Sequence, residues 1–225
     1  MVGGLGYSVD ELLASPWPGT FDAGVEWIHQ ITGGIAPGEV WAVTGVTGVG
    51  VTTLVRRLSV AAAQRGTVIL ANGHVPSRVM AQSIADQSSP SNGSDVRGAL
   101  PQIASWLPLP RRGTDGWDSA CEQADVVVLD TWDEMWRPHD WTKSREERLA
   151  DARWLRELAR SAGTALVLTA RLPRSRTRAP HWAEEALDNV ADVSIELKQE
   201  ADSPWRLARV HSRAGGSRQD RLPFS

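Results

Sequence analysis

The sequence has very little of several features, and each shortage excludes a class of protein. A single cysteine, Cys121, cannot form an internal disulfide, so we expect a reducing, cytoplasmic location. No apolar run approaches the roughly 20 residues of a membrane-spanning helix. The N-terminus also lacks the basic start and apolar core of a signal peptide, so no membrane partner is expected. A formal net charge of -3 argues against a basic body that coats nucleic acid.

The pattern of apolar residues predicts an α/β fold. Short apolar runs alternate with helical periodicity, which favours a mainly parallel sheet with helices on both faces. The predicted strands are 39–44, 67–71, 124–130 and 165–169, and 192–197 with 206–211 form a predicted C-terminal hairpin. The predicted helices are 22–30, 52–63, 76–85 and 144–161.

The domain organisation is predicted from helix caps and turn-forming residues along the chain. Ser8 and Glu11 form a capping box that opens a short helix, so residues 1–20 are interpreted as an N-terminal arm. Residues 21–225 are then interpreted as one α/β domain. Turn-forming and polar residues over 86–98 predict a mobile surface loop inside it.

A glycine-rich segment, residues 45–53, follows the first predicted strand and opens a predicted helix. It fits the phosphate-binding pattern G-x-x-x-x-G-K-[ST] except that Val51 replaces the lysine. Backbone N–H groups and a helix N-terminus still favour an anion, so a nucleotide such as ATP is the expected cofactor. A glycine-rich turn with no ligand is the alternative. The predicted nucleotide-binding residues are Gly45, Thr47, Gly48, Val49, Gly50, Val51, Thr52 and Thr53.

A second motif is the run ADVVVLD, an apolar strand that ends in Asp130. Such a strand is typical of the acid that holds magnesium in P-loop proteins, and Thr52 stands where a hydroxyl ligates the same ion. Thr52 and Asp130 are therefore the predicted Mg²⁺ residues. A helix cap or a loop salt bridge is the alternative role for Asp130.

With these residues placed, the chain resembles the C-terminal ATPase core of the ring-shaped replicative (DnaB-like) helicases, a RecA-like P-loop group. The resemblance runs over 32–224. It is carried by 32–39, 68–77, 127–130, 144–160, 170–174 and 211–213. It implies a RecA-like fold, a role in DNA replication, and single-stranded DNA, a homo-oligomeric ring or a replicative helicase as partners.

The departures from that family fall at positions where its members carry catalytic or phosphate-contacting residues. The resemblance places Val51 at the family's lysine, His74 at its catalytic glutamate, Arg171 at its γ-phosphate-sensing glutamine and His211 at a basic residue. Thr52, Asp130 and Arg213 are retained, the last as an arginine finger. Asp130, Arg171 and Arg213 are thus the candidate catalytic residues, with Arg171 as a substitute cation.

A run of arginines is the candidate nucleic-acid contact. Arg171, Arg174, Arg176 and Arg178 correspond by resemblance to a loop that faces the central channel of RecA-like rings. A solvated loop is the equal alternative. Trp132, Trp136 and Trp141 follow Asp130, where either another channel loop or a subunit interface is expected, and Trp182 more readily anchors an amphipathic helix than stacks on a base.

The sequence thus favours a degenerate helicase core that binds nucleotide or DNA with weak or no hydrolysis. An active ATP-driven helicase or translocase that uses Arg171, and a non-enzymatic protein-interaction adaptor, are the two alternatives.

Overall fold

A computed structural model describes residues 20–72, 77–88, 102–104, 115–132, 144–172, 182–199, 206–213 and 216–222. Within these ranges there are eight strands and six helices. The strands are β1 Val40–Val46, β2 Val68–Asn72, β3 Gln102–Ala104, β4 Val126–Asp130, β5 Ala165–Leu172, β6 Val193–Gln199, β7 Arg206–Ser212 and β8 Gly216–Leu222. The helices are α1 Glu26–Thr32, α2 Val51–Ala63, α3 Ser77–Ser88, α4 Asp115–Gln123, α5 Arg145–Ala162 and α6 Trp182–Val190.

All eight strands form one sheet in the order β3-β2-β4-β5-β1-β6-β7-β8. The strands from β3 to β6 pair in parallel, while β6, β7 and β8 pair antiparallel. β1 therefore lies in the middle of the sheet, between β5 and β6. The carboxyl ends of β1, β4 and β5 meet along one edge, which is where ligands of parallel sheets bind.

Two apolar layers cover the sheet. One contains α1, α2 and α3, whose Ile28, Leu58 and Met80 pack with strand residues such as Val128. The other contains α4, α5 and α6, whose side chains pack on the alternate strand residues, including Leu129. Successive residues of the central strands point to opposite faces of the sheet. Because both faces are covered by helices, every position of such a strand is buried, which explains the continuous apolar runs in the sequence.

Most of the predicted elements are confirmed. β1, β2, β4 and β5 lie where the apolar runs predicted them, and β6 and β7 form the predicted antiparallel hairpin. The α/β class with helices on both faces is also confirmed. No helix in the described ranges is long and apolar enough to cross a membrane.

Several details differ from the predictions. β5 extends to Leu172, so Arg171 lies in a strand and not in a loop. α3 extends to Ser88, which overlaps the start of the loop predicted at 86–98. Strands β3 and β8 and helix α4 were not predicted. The arm at 1–19, with Ser8 and Glu11, and residues 89–98 lie outside the described ranges.

Candidate functional site

The phosphate-binding loop joins β1 to α2 at the carboxyl edge of the sheet. Gly45 and Val46 end the strand, and α2 begins at Val51 with Gly50 as its cap. Gly48 and Gly50 have φ angles of 88° and 107°, a region that L side chains rarely adopt. The two glycines therefore allow the chain to turn from strand to helix within four residues.

The loop presents backbone donors. The Thr47 and Val49 N–H groups bond to the carbonyls of Leu172 and Val46 at 3.4 and 3.0 Å. The structure shows no acceptor among the described residues for the N–H groups of Gly48, Gly50 and the first residues of α2. These donors and the positive end of the helix form a site suited to an anion.

Val51 occupies the position of the missing lysine, and its side chain is buried. It is 5% exposed and belongs to the apolar layer that contains Leu54 and Leu197. A Cβ atom added to Gly45 would lie 2.5 Å from Val49 and 3.1 Å from Val51. The two valines thus pack against the glycine from inside the loop, and no ammonium group is present there.

Asp130 lies at the end of β4, beside the loop, and is 1% exposed. The Thr52 hydroxyl donates to its Oδ2 at 2.8 Å. The Thr169 hydroxyl, on β5, donates to its Oδ1 at 2.9 Å. The structure therefore joins the two predicted metal residues, Thr52 and Asp130, which are 78 positions apart, and adds Thr169, which the sequence interpretation missed.

Arg171 reaches the same carboxylate. One of its terminal nitrogens lies 4.0 Å from Asp130 Oδ1, and its side chain is 29% exposed. β5 pairs with β1 so that Arg171 faces Gly45 across the ladder. The backbone of Arg171 is thus next to the start of the phosphate-binding loop, and its guanidinium lies near Asp130.

Arg56 is a second cation near Asp130, and sequence reasoning did not identify it. It lies one turn after Thr52 on α2, and its guanidinium donates to Met80 Sδ at 3.0 Å and to the Ser83 hydroxyl. Burial lowers the pKa of Arg56, and the negative charge of Asp130 opposes that shift. A spacing of four residues from Thr52 was the available signal, since it places both side chains on one helix face.

The residues fit a nucleotide and fit magnesium only in part. The loop N–H groups that lack an acceptor within the described part of the chain, together with the helix N-terminus, suit phosphate oxygens. The oxygens of Thr52 and Asp130 suit Mg²⁺ by their chemistry. The guanidinium 4.0 Å from Asp130, however, carries a charge that repels a divalent cation.

Arg213 lies at the amino ends of the parallel strands, opposite the edge that carries the phosphate-binding loop. Its side chain is 4.0 Å from Asp192 Oδ1, and the Asp192 N–H bonds to the carbonyl of Val40 at the start of β1. Arg156 and Arg160 contact the same carboxylate oxygen at 2.9 and 3.5 Å. A cleft of about 380 Å³ opens here. The structure does not bring Arg213 together with Asp130 and Arg171 in one chain.

Other predicted site residues divide into two groups. Trp132 is fully buried in the apolar layer that contains Leu129 and Leu155. The interpretation of Trp132 as a channel or interface residue is therefore wrong, because a core residue offers no surface. His74, Trp136, Trp141, Arg174, Arg176 and Arg178 lie outside the described ranges, and Trp182 begins α6.

Comparison with known proteins identifies the fold. The sequence matches no family model and no curated protein. The solved ATPase domain of a DnaB-like helicase superposes with a TM-score of 0.72 at 12% identity, over 97% of this chain and 96% of that chain. A KaiC-like protein from the hyperthermophilic archaeon Pyrococcus horikoshii OT3 gives 0.64 at 18% identity, over 92% and 94%. The RecA-like fold predicted from the sequence is thus confirmed, while identities this low do not establish the activity.

Proposed function

We propose that this chain binds a nucleoside triphosphate at its phosphate-binding loop and hydrolyses it slowly or not at all. The observation that carries the proposal is the combination of loop amides that have no acceptor among the described residues with a buried Val51 beside the Thr52–Asp130 pair. The amides and the N-terminus of α2 hold the phosphate tail. Arg171, whose strand neighbour is Gly45 of the loop, would orient the terminal phosphate. Thr52 and Asp130 are the residues that would hold a magnesium ion, and Arg171 competes with it for the same carboxylate.

Weak hydrolysis follows from the charges that are missing. Phosphoryl transfer depends on positive charge that neutralises the developing charge on the phosphoryl oxygens. Val51 brings none, and its side chain is buried in the apolar layer. The resemblance also places His74 where the DnaB-like helicases have a glutamate that polarises the attacking water. Binding without fast turnover is the expected result.

The cellular role is proposed from the resemblance and the fold. The likeness to the solved helicase ATPase domain supports a relation to the DnaB-like cores, and hence a role in DNA replication. Single-stranded DNA, other copies of the chain in a ring, or a replicative helicase are the proposed partners. Arg174, Arg176 and Arg178 are the proposed DNA contacts, together with Arg171.

Calorimetric titration with ATP, ADP and AMP tests the binding proposal. Because the donors are loop amides, affinity should fall with each phosphate removed. Gly50→Ala should lose at least about tenfold in ATP affinity, since its φ of 107° is unfavourable for alanine. Gly163→Ala is the matched control: it strains a similar backbone angle of 70° at the end of α5, far from the loop. Equal loss in both variants, or equal binding of AMP and ATP, would contradict the proposal.

An active ATPase is the second candidate function, and the approach of Arg171 to Asp130 favours it. Phosphate release measured with and without single-stranded DNA separates the two. DNA-stimulated turnover that Asp130→Ala abolishes would establish the enzyme. ATP binding without turnover, with salt-dependent DNA binding, supports the proposed role. If neither ligand binds, the protein-interaction adaptor is left.

A further inference from the structure

The carboxylate of Asp130 is already engaged by the protein's own groups. Its Oδ2 accepts from Thr52 at 2.8 Å, and its Oδ1 accepts from Thr169 at 2.9 Å. Arg171 adds a full positive charge 4.0 Å from Oδ1. A buried carboxylate that is 1% exposed needs such partners, because an unpaired charge is costly away from water.

The charges around the site differ from those of a lysine-containing P-loop. In such a site the lysine and a divalent cation together neutralise the triphosphate. Here Val51 is neutral, and the cations near Asp130 are the guanidinium groups of Arg171 and Arg56. The described groups therefore give the site a net positive charge before any metal binds.

The geometry also opposes a metal ion at this carboxylate. The hydrogen bond from Thr52 to Asp130 does not itself exclude Mg²⁺, because the hydroxyl oxygen keeps lone pairs for a metal; the obstacle is the charge of Arg171. The ion would share the acid with a guanidinium 4.0 Å away, and like charges repel strongly where water is scarce. An arginine, in contrast, can contact the acid and a phosphate together through its several N–H donors.

We propose that Arg171 takes the place of the divalent cation at Asp130, so that nucleotide binds to this loop without requiring magnesium. The proposal rests on the proposed function, since it concerns the same phosphate site. The role of Arg171 is then to balance the charge of Asp130, as a metal ion would, because its contact is with that carboxylate.

ATP titration of the intact chain by calorimetry, in excess EDTA and in excess MgCl₂, tests this proposal. The wild-type dissociation constants in the two buffers should differ by less than about threefold. Arg171→Ala should lose more than about tenfold in EDTA and recover part of that loss in magnesium, because Asp130 becomes accessible to the ion. Arg171→Lys keeps a cation and should behave more like wild type. Arg65→Ala removes an exposed arginine just after α2 and is the control.

The outcomes separate this inference from the function on which it rests. If wild-type binding improves tenfold or more with magnesium, the inference is wrong and the nucleotide site stands. If ATP binds in neither buffer, both proposals fail. The wild-type comparison uses no variant, so poor folding of Arg171→Ala, detected by circular dichroism, would not obscure the result.

Discussion

At the scale of single residues, Val51 is the largest chemical departure of the loop from the phosphate-binding pattern G-x-x-x-x-G-K-[ST]. A lysine there would place an ammonium group next to the phosphate tail, and charge-assisted hydrogen bonds are about twice as strong as neutral ones. We expect Val51→Lys to tighten ATP binding by at least about tenfold, as measured by calorimetry. Turnover should remain slow, because His74 still occupies the position that the resemblance assigns to a catalytic glutamate.

Val51→Met is the matched control for that substitution. Methionine is close to lysine in length but carries no charge, so any gain that it shares with Val51→Lys would be a packing effect. Fast phosphate release by Val51→Lys alone would show that the lysine was the only missing element.

Glu39 gives a pH-dependent prediction at the same scale. Its Oε2 accepts from the Trp41 ring N–H at 2.9 Å and from the Ala36 N–H at 3.0 Å. Burial raises the pKa of Glu39, with a contribution from the charge of Asp192, while the two hydrogen bonds oppose the shift. A raised folded-state pKa means that the stabilisation by the protonated form is lost as pH rises through that value.

Glu39→Gln should therefore be more stable than wild type at pH 7, and the difference should shrink as pH falls through the raised folded-state pKa and vanish below the unfolded pKa of about 4.3. A glutamine oxygen can accept the same two hydrogen bonds, so the comparison isolates the charge. Urea denaturation at several pH values measures it. If the stability difference between Glu39→Gln and wild type is the same at pH 7 and below the unfolded pKa, the charge of Glu39 does not affect folding stability.

Thr52 and Asp130 each have a fixed place in a motif, and the sequence assigned both to one Mg²⁺ site at the same edge of the sheet. The structure shows their side chains in contact, while their role as metal ligands stays a prediction. Thr169 and Arg56 carry no motif, and their approach to Asp130 depends on how β5 and α2 pack beside β4. Single-sequence patterns do not contain that information.

At the scale of secondary-structure elements, α5 has the best-defined start. Ser144 accepts from the Glu147 N–H at 3.2 Å, and Glu147 accepts from the Ser144 N–H at 2.6 Å. The sequence has the S-x-x-E signature of a capping box at these two positions, and the structure shows both of its hydrogen bonds. Ser144→Ala should lower the free energy of unfolding by about 1 kcal/mol, measured by urea denaturation.

Ser161→Ala in the last turn of α5 is the control, because its hydroxyl donates to the Leu158 carbonyl and caps no orphan N–H group. It should change stability much less than Ser144→Ala. Equal effects would show that the cap contributes nothing beyond removal of a surface hydroxyl.

The two strands that the sequence did not predict share a physical cause. β8 reads GSRQDRL and lies at the edge of the sheet, where one strand neighbour suffices and little apolar surface is buried. β3 is three residues long and forms the other edge. Central strands were predictable because burial on both faces demands apolar runs, whereas edge strands impose no such pattern.

At the scale of the whole molecule, the sheet separates two groups of functional candidates. The phosphate-binding loop follows the carboxyl end of β1, and Arg213 lies near the amino end of that strand. Seven strand residues at about 3.3 Å each span roughly 20 Å, which is longer than an arginine side chain. Arg213 can therefore act on a nucleotide only if that nucleotide is bound by another copy of the chain.

This separation predicts assembly that depends on nucleotide. Under the proposed arginine-finger role, in which Arg213 of one copy contacts phosphate held by the next, sedimentation velocity should show wild-type chains associating when ATP is added. Arg213→Ala should assemble less, yet bind ATP at high dilution within about twofold of wild type. Arg209→Ala removes an exposed arginine on β7 and is the control. If Arg213→Ala associates as wild type does, the role of Arg213 ends at its contacts with Asp192 and the Asn189 carbonyl.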